Sequence, residues 1–158
     1  MAPTGPIVVG FDGSPDAEQA LRAAADLLAP RPALIVVVWK SGLGFELVAL
    51  PAAGIGLPPG PIDVRTALEV DRALMEGAQQ VAQHGAELAR SEGLDAEPLT
   101  VADDPDVSVA ETLTRVASER EAAALVIGAQ AKGGLLGSVT REVLKLAACP
   151  VVVRGPGH

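Results

Sequence analysis

Aromatic side chains are nearly missing from this chain. They make up 2% of it, as two phenylalanines and one tryptophan with no tyrosine. Recognition by stacking bases on aromatic platforms is therefore a poor fit, and the core has to be packed from aliphatic side chains. Cysteine is as scarce: a lone Cys149 excludes an intramolecular disulfide framework and a thiolate zinc site. Positive charge is in deficit, with 12 Lys and Arg against 20 Asp and Glu and a formal net charge of −8. That argues against non-specific binding to nucleic acid or to an anionic membrane. A phosphate ligand would have to be held by backbone N–H groups or through a metal, more than by a basic patch. No apolar run reaches membrane-spanning length and no charged-then-apolar leader opens the sequence, so the expected location is cytoplasmic.

What is present is aliphatic and alternating. Hydrophobic residues are 49% of the 158 positions, which favours a packed α/β or α protein, and the length suits one domain spanning 1–158. Pro6 to Phe11 is a short continuous apolar run, as expected of a strand buried on both faces. It stops at Asp12-Gly13-Ser14-Pro15. Ser14 is a good N-cap, Pro15 suits the first helical position, and Asp16 and Glu18 put negative charge at the helix's positive end. Ala17, Ala20, Leu21, Ala24, Leu27 and Leu28 then form the expected inner stripe of a helix, ended by Pro30 and Pro32.

Ala33 to Trp39 reads as a second buried strand. From Lys40 to Arg65 the character changes to alternating glycines and prolines, an insertion at about 40–65 in which regular structure is not expected. Its apolar residues suit a lid or an oligomer contact, and a plain surface insertion fits as well. Thr66 to Glu92 carries Leu74, Ala78, Val81, Gly85 and Leu88 at helical spacing, with Gly93 as C-cap. Leu94 to Val101 reads as a short edge strand. Asp103-Asp104-Pro105 reads as the cap of a third helix, with Val109, Leu113, Val116 and Ala117 facing inward. Ala122 to Ile127 and Pro150 to Val153 complete the strands, and between them lies a last helix with Val139, Val143 and Leu146 on its inner side.

Strands alternating with helices predict an open parallel sheet covered on both faces. In such sheets ligands bind beyond the carboxyl ends of the strands, at a topological switch point. Two strand ends look equipped: Gly10 to Ser14, and the stretch from Gly128, where a small-residue loop feeds Gly137-Ser138 at a helix start. A strand, a loop and a helix N-terminus in that order present free N–H groups to an anion. The loop is not a Walker P-loop, because Gly134-Leu135 stands where lysine and a hydroxyl residue belong, and no G-x-G-x-x-G follows the first strand.

Taken together, Val9-Gly10-Phe11-Asp12-Gly13-Ser14, Val126-Ile127-Gly128 followed by Gly137-Ser138-Val139-Thr140, and Cys149-Pro150-Val151-Val152-Val153 resemble the universal stress protein (UspA-like) family along the whole chain. The resemblance implies a five-stranded parallel sheet in the order 3-2-1-4-5, Rossmann-like and akin to the adenine nucleotide alpha hydrolases. It implies a stress-response regulator that binds ATP or another adenine nucleotide, with Mg2+ if the ligand is a triphosphate. Asp12 would contact adenine, as would a backbone group at Val38 or its neighbour Trp39. Gly10 would border the sugar, and Gly128, Ala131, Gly137, Ser138 and Val139 would hold ribose and phosphates. A homodimer through the last strand is also implied, which would cover the uncharged edge at Val151-Val152-Val153.

The chain departs from the family pattern in its loop. The nucleotide-binding branch has glycine, two residues, glycine, nine residues, then glycine and a hydroxyl residue. Here Ala131 takes the second glycine's place and only five residues, Lys132 to Leu136, precede Gly137. Losing two charge-assisted bonds, at about 1.5–3 kcal/mol each, would weaken triphosphate binding by roughly 10²–10⁴-fold. The alternative is thus a UspA-like dimeric interaction module that does not bind ATP. No nucleophile–base pair or metal-binding carboxylate pair is visible, so hydrolysis of ATP would at most be slow. His84 reads as part of a solvated helix face, His158 as a disordered terminal residue, Cys149 as a packing thiol, and Lys132 as a loop lysine or a compensating charge.

Overall fold

The computed structural model describes residues 4–42, 64–130 and 136–155. The segment 43–63, most of the Gly/Pro-rich insertion, lies outside them, as does 131–135 with Ala131 and Lys132.

Nine elements alternate along the described chain. Strand β1 (Ile7–Gly10) leads into helix α1 (Pro15–Leu28), then β2 (Pro32–Lys40), α2 (Val64–Ser91) and β3 (Asp95–Asp103). Helix α3 (Val109–Glu119), β4 (Ala124–Gly128), α4 (Ser138–Leu146) and β5 (Val151–Arg154) follow. The five strands form one parallel sheet in the order β3-β2-β1-β4-β5. Strand β1 therefore lies between β2 and β4, so the two strand ends singled out in the sequence are neighbours. The chain reverses its winding direction there, and the strand ends splay apart to leave a crevice.

Two hydrophobic layers sandwich the sheet. On one face Ile7, Val9, Ile35 and Val126 pack against α1 and α2; on the other Val8, Val36, Leu125 and Ile127 pack against α3 and α4. Alternate strand residues face opposite sides, so continuous apolar runs supply both layers. Ser14 caps α1 as expected, its hydroxyl accepting from the Ala17 N–H at 3.2 Å with Pro15 opening the helix.

The structure corrects the inner stripes of three helices. In α1, Leu27 is 70% exposed and Ala25 takes the buried place. In α2 the buried line is Ala78, Ala82, Gly85, Ala86 and Ala89, flanked by half-buried Val81 and Leu88. The cause is proximity: a Cβ at Gly85 would lie 2.8 Å from Phe11 and from Ile35, so only small side chains fit between helix and sheet. In α4, Leu146 points outward and Thr140 points in, wholly buried beside Val143.

Two further expectations fail at β3. The strand is nine residues long, as long as β2, although it does form an edge. It ends at Asp103, and α3 starts six residues later with Ser108 as its N-cap. Asp103 is not a cap. It accepts a hydrogen bond from the Thr112 hydroxyl and pairs with Arg115, whose Nη2 lies 3.0 Å away. Strand β3 is thereby pinned to α3. The Lys40 ammonium also reaches the Val107 carbonyl, which fastens β2 to the same corner.

Candidate functional site

A cavity of about 210 Å³ opens at the carboxyl ends of β1 and β4. Of the residues expected there, Gly10, Asp12, Val38, Gly128 and Val139 line it. Gly137 and Ser138 stand beside it at the start of α4, and Ala131 lies outside the described residues.

The floor comes from β1 and β2. The Phe11 N–H donates to the Val36 carbonyl at 2.9 Å, the last rung between these strands. Backbone groups two residues apart on a strand point the same way. The Val38 carbonyl therefore faces the side where β1 has turned away, while the Trp39 carbonyl faces β3. Of the two residues, Val38 is the one that lines the cavity.

Asp12 is exposed at the cavity rim, directly after β1. One of its carboxylate oxygens accepts from the Ser14 N–H at 2.9 Å, which fixes the turn into α1. Its other oxygen makes no hydrogen bond among the described residues. The turn role and an acceptor role toward a ligand are thus compatible, one for each oxygen. Gly13, at φ +80°, lets the chain reverse immediately afterwards.

The fourth strand's end is held by α4. The Thr140 hydroxyl donates to the Gly128 carbonyl at 2.9 Å and lies 3.2 Å from the Ala129 carbonyl. The Gly137 N–H donates to the Ala129 carbonyl at 3.0 Å, so the two ends of the loop are tied together. A Cβ at Gly137 would fall 2.6 Å from that of Gln130. Gln130 itself has φ +51° and lines the cavity. The Gly137 amide is thus engaged within the protein. What α4 still offers is its first turn, Ser138, Val139 and Thr140, whose N–H groups have no intrahelical acceptor, together with the positive end of the dipole.

The sequence reading missed several neighbours. Thr140 holds the start of the loop, Gln130 lines the cavity, and Val109 and Leu113 of α3 line it too although their spacing marked them only as core. Helical periodicity identifies an inward face; it does not distinguish a face against the sheet from one against a gap beyond it.

As a nucleotide site the cavity fits in part. Aliphatic walls with an acidic rim and a free carbonyl suit a base and sugar. The volume is below the roughly 300–1,000 Å³ of sites for larger ligands, and Asp12 is the only charged residue among the described lining. No group of three or more His, Cys, Asp or Glu suited to a metal ion occurs among the described residues.

Elsewhere, His84 is exposed and pairs with Glu18 of α1 at 3.5 Å. Burial pushes the Cys149 thiol above its usual range, and it packs against the α3–α4 layer. Its expected packing role fits that setting. No helix among the described residues is long and apolar enough to cross a membrane.

Fold and crevice define an open-sheet α/β domain of the Rossmann-like class. The sequence of residues 106–154 matches the universal stress protein family model, whereas no curated protein sequence matches the chain. A universal stress protein from Archaeoglobus fulgidus is 25% identical, with a TM-score of 0.66 over 94% of this chain and 92% of that one. The structure of the Archaeoglobus fulgidus protein in complex with dAMP is similar at 26% identity and a TM-score of 0.60, over 94% and 96%. A universal stress protein in complex with cAMP matches at 21% identity and a TM-score of 0.62, over 96% and 97%. Residues 106–154 thus match the universal stress protein family model, and over nearly its whole length the chain shares the fold of universal stress proteins.

Proposed function

We infer that this chain is a regulatory protein of the stress response that binds an adenine nucleotide at the carboxyl ends of β1 and β4. The observation that carries the reading is the cavity bounded by Asp12, Val38, Gly10, Gly128 and Val139. It joins an aliphatic slot for a base to a helix N-terminus able to face a phosphate. The free oxygen of Asp12 and the Val38 carbonyl serve as acceptors for the base. Gly10 and Gly128 border the sugar, and the first-turn amides of α4 at Ser138 and Val139 face the phosphate. The complexes of related proteins with dAMP and cAMP support a ligand of this kind.

The engaged Gly137 amide favours a ligand with a short phosphate tail. ATP with Mg2+ would draw on Ala131 and the rest of the shortened loop. Calorimetric titration of adenosine, AMP, cyclic AMP, ADP and ATP tests this. Micromolar or tighter binding of AMP, no weaker than that of ATP and lost in Asp12→Ala, is the expected result. No saturable binding of any of the five would refute it.

A second reading, a dimeric interaction module without a nucleotide, is favoured by the same bond between Gly137 and Ala129. Under both readings residues 1–158 act as one cytoplasmic domain, and β5, hydrogen-bonded to β4 on one side, pairs with β5 of a second copy. Pro150 and Arg154 direct their carbonyls to β4, so by alternation the Val153 amide points outward. Sedimentation should then show a dimer, and Val153→Pro should convert it to monomer. A folded Val153→Pro variant that remains dimeric would remove the strand-pairing idea.

A further inference from the structure

Helix α3 supplies a wall of the cavity, and its sequence offers no hint of that task. Leu113 is 3% exposed and lines the cavity from the face opposite α1. It reaches the end of β1 because Gly10 has no side chain. A Cβ at Gly10 would stand 2.9 Å from Leu113 Cδ1 and 3.2 Å from Ile127 Cγ2. Val109, one turn earlier and half-buried, continues the same wall toward the rim.

This wall is held from behind. Asp103 accepts from the Thr112 hydroxyl, which is wholly buried, and pairs with Arg115; Lys40 reaches the Val107 carbonyl just ahead of the helix. A close-packed aliphatic wall fixed at its outer side resists displacement by a larger guest. It makes no hydrogen bonds of its own, so it discriminates by shape.

We propose that Leu113 determines specificity for the base, admitting an unsubstituted adenine ring and rejecting adenines alkylated on the edge that faces α3. The inference rests on the adenine-nucleotide reading above. Its ligand class is adenosine and its monophosphates, and the discriminating feature is bulk at C2 or C8 of the ring, since N6 is the donor edge assigned to Asp12 and Val38.

The test titrates adenosine and its C2- and C8-methyl derivatives into the wild-type chain and Leu113→Ala, with thermal denaturation to confirm folding. Wild type should bind adenosine and reject at least one methylated analogue. In Leu113→Ala the affinity ratio of that analogue to adenosine should rise about tenfold, the scale expected for added bulk in an apolar pocket. If the substitution lowers all three affinities by one common factor, Leu113 is structural only and the proposal falls. Should Leu113→Ala fail to fold, Val109→Ala carries the same ratio test with the same two outcomes. Adenosine binding with unchanged ratios in a folded variant overturns this inference alone. No binding of any adenosine by wild type overturns the adenine-nucleotide reading and this inference together.

Discussion

Thr140 donates its hydroxyl to the Gly128 carbonyl at 2.9 Å, across a fully buried contact between the first turn of α4 and the last residue of β4. With the Gly137–Ala129 bond beside it, this contact closes the neck of the loop. Thr140→Val keeps the shape and removes the donor to the Gly128 carbonyl, while the Ala129 carbonyl keeps the Gly137 N–H. The expected loss is about 1–3 kcal/mol of unfolding free energy, read by urea denaturation. Thr140→Ser should retain most of the stability. Equal losses in both variants would show that packing, and not the hydroxyl, matters at this position.

Two glycines in α2 should respond with opposite sign. Gly77 is exposed and a Cβ there meets nothing within 4 Å, so Gly77→Ala should stabilise by about 0.5–1 kcal/mol through helix propensity. Gly85 lies where Phe11 and Ile35 would be 2.8 Å from a new Cβ. Gly85→Ala should destabilise by about 1–3 kcal/mol by overpacking. Thermal midpoints of the two variants check the pair; a rise for both would mean that α2 does not approach the sheet so closely.

The Asp103 clamp gives a pH signature. Its carboxyl is held below the ordinary aspartate value of 3.8, chiefly by the Thr112 hydroxyl, with burial pushing upward and Arg115 pulling down again. A lowered native pKa means that the stabilisation is complete above 3.8 and fades as pH falls through the native value. Asp103→Ala should cost about 1.5–3 kcal/mol near neutral pH, as expected for losing charged hydrogen bonds. The gap to wild type should shrink below pH 3.8. Melting curves from pH 7 to pH 2 read this out, and a gap that stayed constant to pH 2 would contradict the assignment.

The Asp103 corner also shows how far sequence carried the fold. Strand β1, the turn and α1 were legible because Ser14 and Pro15 carry a local capping signal and a matching apolar stripe begins at once. Asp104-Pro105 carries a similar signal, yet the chain forms a turn there, with the Val107 N–H on the Asp104 carbonyl. The inward stripe of α3 starts only at Val109, and the Asp103 side chain is claimed by Thr112 and Arg115 from the following helix. Tertiary partners of this kind leave no local trace. The sheet order and the places of Asp12, Val38 and Gly128 at the crevice came from the family resemblance. The engaged amide of Gly137 did not, because it depends on how a shortened loop closes, and the α3 wall did not, because a lining leucine looks like a core leucine.

The most direct test of the account is a titration of the ¹⁵N-labelled protein with AMP, followed by amide chemical shifts. The account predicts saturable changes at Phe11, Asp12, Val38, Gly128, Ser138 and Val139. It also predicts little change in the open groove between α2 and β3, where Gln79, Gln83 and Pro98 line a space of about 650 Å³. Saturable shifts confined to that groove, or none anywhere at millimolar AMP, would contradict it.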